Sequence, residues 1–121
     1  MEVQLSEKIF IVIEKLIGLS HQREETYQLN KHAEVENLRG QLESILNDLT
    51  LDEIMMIQTI MYMGRDQDYD DTKSRLENYE IKLKELTPAK RKDIEIYQIV
   101  SKMPLGVYLT NGISIIRNEK F

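Results

Sequence analysis

Punctuation is scarce in this chain: 5 Gly and 2 Pro serve 121 residues. A β-sandwich or barrel needs frequent turns, built mostly on glycine and proline, so the scarcity selects long helices with few connections. The length suits one hydrophobic core, and 41% hydrophobic with 31% charged residues is a globular composition. The expectation is a single all-α domain spanning residues 1–121, a bundle of five or six helices.

Apolar spacing places the helices. The first is predicted to start at Ser6, an N-cap residue with Glu7 in the first turn. Leu5, Ile9, Val12, Leu16 and Leu19 form one stripe and Phe10, Ile13 and Ile17 a second beside it, an unusually broad apolar face. The run Ile9–Ile13 is β-branched enough for a strand, but helical spacing continues to Leu19 and no turn residue flanks it. From Ser20 to Glu36 the chain is polar, either an exposed extension of this helix or its turn, with Asn30 as the break. Val35, Leu38, Leu42, Ile45 and Leu49 make a second helix, in which Gly40 suggests close packing.

Thr50-Leu51-Asp52-Glu53 is a capping box opening a third helix, predicted to run to Met63 with Gly64 as its left-handed C′ residue. This helix is apolar almost all round and is expected at the centre of the core. Thr72, Leu76, Tyr79, Leu83 and Leu86 predict a fourth helix, and Thr87-Pro88 the start of a fifth carrying Ile96, Ile99, Val100 and Met103. Pro104 separates the sixth, with Leu105, Tyr108, Leu109, Ile113 and Ile116 aligned, unless Asn111-Gly112 ends it early.

Composition also limits function. The formal charge of −5 argues against a general nucleic-acid binder, whose affinity rests on neutralising phosphates. Without cysteine there is no disulfide, thiolate chemistry or Cys-based zinc site. Met1-Glu2-Val3-Gln4 is not the basic start of a secretory signal, and Glu14-Lys15 cut the first apolar run too short to cross a bilayer. A cytoplasmic protein that engages no membrane is expected.

Three blocks then stand out: Leu49-Thr50-x-Asp52-Glu53, Met63-Gly64-Arg65-x-Gln67-Asp68-Tyr69, and Pro104-Leu105-x-x-Tyr108-Leu109-x-x-Gly112-Ile113. With them the chain from Leu49 to Ile116 resembles a family of small bacterial proteins classed only as a domain of unknown function. That family's middle block reads Gly-Arg-Gly-Asp and an aromatic, which Asp66-Gln67 interrupts here. The resemblance implies a helical fold and supplies no activity.

Candidate sites are few. Asp66, Asp68, Asp70, Ser74 and Glu77 fall at positions 1, 3, 5, 9 and 12 of a calcium loop. Asp71 replaces the glycine of the sharp turn, and carboxylates at a helix start also serve as caps. Arg65 is either a fork binding nearby carboxylates and carbonyls or an anion ligand. His21 and His32 would lie about 16 Å apart on one continuous helix, too far to share an ion. Lys90-Arg91-Lys92 spreads around a helix start instead of forming a stripe. Met55 and Tyr62 flank the third helix beside Gln58 and Thr59, and with Phe10, Ile13 and Ile17 they predict more apolar surface than one domain buries.

The expected function is therefore a non-enzymatic interaction or regulatory module that presents an apolar helix face, either to itself as a homodimer or to another protein. Phe10, Ile13, Ile17, Met55 and Tyr62 would form that interface, with no catalytic residue, metal or cofactor. The alternative is a small-ligand or cation-binding protein using Arg65, Asp66, Asp68, Asp70 and Glu77.

Overall fold

Ser6 opens the first helix as the spacing demands, its hydroxyl accepting the Ile9 N–H at 3.2 Å. In the computed structural model, which describes residues 6–86 and 90–117, the helices are α1 (Glu7–Gln28), α2 (His32–Asn47), α3 (Leu51–Asp66), α4 (Arg75–Glu85), α5 (Lys92–Val100) and α6 (Leu105–Arg117). Among the described residues there is no strand, and no single helix is long and apolar enough to cross a membrane. The chain is an all-α helical bundle.

α1 runs unbroken through the polar stretch and ends where Asn30 takes a left-handed φ of 60°. That stretch is only partly solvated. Arg23 is buried and donates to the carbonyls of Val100 and Lys102, each at 2.7 Å. One turn earlier, the buried Ser20 hydroxyl accepts the Gly106 N–H at 2.8 Å. Between α5 and α6 the chain turns by 99°, and these two side chains satisfy backbone groups that helix ends leave unpaired. Burial lowers the Arg23 pKa, although a guanidinium stays charged.

α3 is the central element, touching α1, α4, α5 and α6. Its capping box forms as predicted, Glu53 N–H to Thr50 Oγ1 at 3.2 Å and Thr50 N–H to Glu53 Oε1 at 2.9 Å. Its other end differs from expectation: Gly64 is helical, and Gln67 supplies the left-handed residue at φ 48°. Gly64 is instead a packing residue. A Cβ there would collide with the Tyr108 carbonyl and lie 2.6 Å from Gly112 N; a Cβ on Gly112 would collide with the Ile60 carbonyl. α3 and α6 cross backbone to backbone at this pair, which explains why α6 runs straight through Asn111-Gly112.

Gly40 has no such role, since it is exposed and nothing lies within 4 Å of a Cβ built on it. α5 begins at Lys92 behind Arg91, while Lys90 takes a φ of 59°; Thr87 and Pro88 lie outside the described residues. On α4 the buried residues are Asn78 and Lys82, whereas Leu83 is exposed. Of the expected stripe, Tyr79 packs on the core and Leu76 and Leu86 are half-buried, while the deepest positions go to these two polar side chains.

Candidate functional site

The buried face of α4 explains the acidic segment before it. Asn78 Nδ2 donates to the carbonyls of Asp70 and Ser74, at 3.0 and 2.9 Å, and its Oδ1 accepts the Asp70 N–H at 2.9 Å. These bonds pin the loop against α4. Lys82, one turn on and 4% exposed, ends among three carboxylates: Asp66 at 3.0 Å, Asp68 at 3.1 Å and Glu85 at 3.0 Å. Its three donors are therefore all used. Burial alone would lower the Lys82 pKa, but its hydrogen bonds to Asp66, Glu85 and Asp68 outweigh that and raise it.

Arg65 is the structural fork. It grips Asp66 with Nε to Oδ1 at 2.7 Å and Nη2 to Oδ2 at 3.2 Å, and its guanidinium stacks 4.3 Å from the Tyr62 ring centre. The bond from Arg65 and those from Lys82 hold the Asp66 pKa below its ordinary value, and the same contact raises that of Arg65. Burial pushes the Tyr62 hydroxyl up.

Across from this network stand Gln58 of α3 and Glu95 of α5, both 3% exposed. Gln58 Nε2 donates to Glu95 Oε1 at 3.2 Å. Glu95 Oε2 is buried, and among the described residues it has no hydrogen-bond partner. A cleft of about 450 Å³ lies between α3, α4 and α5, with Gln58, Tyr62, Arg65, Lys82, Glu95 and Gln98 on its walls. A buried carboxylate oxygen without a donor costs the full desolvation of that atom. Glu95 Oε2 is thus left for a donor from outside the described residues.

The calcium-loop residues do not converge. Asp66 and Asp68 turn to Lys82, Asp70 accepts from Thr72 and Lys73, and Glu77 caps α4 by accepting the Ser74 N–H at 3.2 Å. Among the described residues no group of three His, Cys, Asp or Glu is placed to hold a metal ion. Of the predicted ligand residues, Arg65 and Asp66 reach the cleft. Comparison with family models, curated proteins and solved structures finds no match.

The expected interface is divided among internal contacts. Ile13 is fully buried, so it presents no surface. Phe10 lies under the Arg117 guanidinium at 3.9 Å, Ile17 packs on the core, and Met55 and Tyr62 are half-buried. The breadth of the α1 face is used mainly by α2 and α6, with α3 touching it as well. His21 sits 3.7 Å from Glu24, His32 is exposed, and Lys92 donates to the Asn47 carbonyl.

Gln58, Lys82, Glu95 and Gln98 were not singled out from the sequence. Gln58 carried the one available signal, as a polar residue inside a helix otherwise apolar almost all round. Glu95 carried none, because charged residues in short amphipathic helices usually face solvent.

Proposed function

We propose that this chain is a small-molecule-binding domain, with the cleft between α3, α4 and α5 as its site and Glu95 as the anchor. The observation that carries the reading is Glu95, which lines a polar cleft and whose buried Oε2 takes no donor from the described residues. Ligand sites combine a concave surface with a few placed polar groups, and a polar group kept at a cost to stability is the usual mark of function. Lys82 and its three carboxylates, together with the Arg65–Asp66 fork, hold the opposite wall in one geometry. The arrangement offers recognition by charge and hydrogen bonds.

The experiment is a series of ¹H–¹⁵N spectra recorded while 1,4-diaminobutane, 1,4-butanediol and succinate are added separately. These probes share a four-carbon chain and differ in charge. Saturable shifts confined to the Gln58 and Gln98 side-chain amides and the α5 backbone, with any of the three, support the reading. Spectra unmoved by all three contradict it.

A further inference from the structure

We infer that the cleft selects an organic amine, with an ammonium group donating to Glu95 Oε2. This inference rests on the cleft being a ligand site and concerns the charge of what enters it. Three carboxyl groups, Asp66, Glu85 and Glu95, face the cleft against two cations, Arg65 and Lys82. Both cations are engaged: Arg65 grips Asp66, and Lys82 spends its donors on Asp66, Asp68 and Glu85. An anion at Lys82 would have to displace one of its three carboxylates, and at Arg65, which gives two of its five N–H groups to Asp66, it would sit beside that carboxylate.

The unsatisfied atom is an acceptor. Glu95 Oε2 is buried, its sister oxygen already takes the Gln58 amide at 3.2 Å, and no described residue donates to it. A charged donor suits a desolvated carboxylate better than a neutral one, because charge-assisted hydrogen bonds are shorter and stronger. A metal cation would need further ligands around Glu95, and among the described residues no such group of three exists. An ammonium has three donors, and the Glu95 and Glu85 carboxyl groups and the amide oxygens of Gln58 and Gln98 are acceptors on the cleft walls.

Two variants test the class. Glu95→Gln keeps an amide oxygen for Gln58 and removes the anion. Gln98→Lys places an internal ammonium three residues along α5 from Glu95, on the same cleft wall. In the wild-type protein, 1,4-diaminobutane is expected to shift the cleft amides saturably, and the diol and succinate to leave them unmoved. Glu95→Gln should weaken the diamine by about tenfold or more, and Gln98→Lys should abolish its binding by occupying Glu95. Succinate or diol binding in place of the diamine overturns the amine inference while leaving a ligand site standing. Silence from all three probes overturns both. Equal diamine binding by wild type and Gln98→Lys also overturns the assignment, and it does so independently of whether Glu95→Gln folds.

Discussion

Gly64 and Gly112 face each other across the α3–α6 crossing, so close that a Cβ on Gly64 would stand 2.6 Å from the Gly112 nitrogen. Neither glycine has a positive φ, so it is the missing side chain, and not backbone freedom, that the site uses. Gly64→Ala should cost about 3 kcal/mol or more, because the atom met is backbone and cannot swing aside. Gly18 and Gly40 are the controls: both are helical with open space around a Cβ. Each should gain about 0.5–1 kcal/mol on changing to Ala. Urea unfolding of the three variants should place Gly64→Ala far below wild type and the other two slightly above it.

Arg23 joins α1 to the α5–α6 corner through two carbonyls at 2.7 Å. Arg23→Ala leaves both carbonyls without their donor and should lose about 3 kcal/mol. Arg23→Lys should recover little of that, because one ammonium on a flexible stem does not reproduce the planar fork. Thermal melts of the two variants check this, and full rescue by lysine would contradict the geometry.

Acid should destabilise the protein in a defined window. Asp70 is held at about 2 instead of 3.8, first by the Thr72 hydroxyl and then by the Thr72 amide and Lys73. Glu53 is held below 4.5 by the Thr50 amide and Lys8, and Asp66 below 3.8 by Arg65 and Lys82. Depressed carboxyl pKa values give stability that is present above the ordinary values and lost as pH falls through the folded ones. Unfolding free energy should therefore fall from about pH 4.5 towards 2, and Asp70→Asn should flatten the low end. Lys82 has the opposite sign: its raised pKa gives stability present below 10.5 and lost only at higher pH.

Helix positions were legible wherever caps and spacing acted locally. Ser6, Thr50 with Glu53, Asn30 and Pro104 mark boundaries that the structure keeps. Gly64 misled because a glycine near a helix end signals a left-handed cap and a close crossing equally well. Only the arrival of α6 decides between them. The α4 stripe misled for a related reason: Asn78 and Lys82 are buried because the preceding acidic loop folds over them. The resemblance blocks around Gly64 and Gly112 meet at the crossing, so those glycines serve the fold. The cleft was hidden because its walls come from three helices far apart in sequence.

The most direct test of the central claim is the stability of Glu95→Gln in the absence of any added amine, measured by urea unfolding beside the wild type. If Glu95 is kept for a ligand, the free protein carries an uncompensated acceptor. Replacing it with a neutral amide that still receives Gln58 removes the buried charge, and although the new NH2 then lacks an acceptor, stability should rise by up to about 1 kcal/mol. A loss of about 1 kcal/mol or more would show that the carboxylate serves the fold itself, and the cleft would lose its anchor.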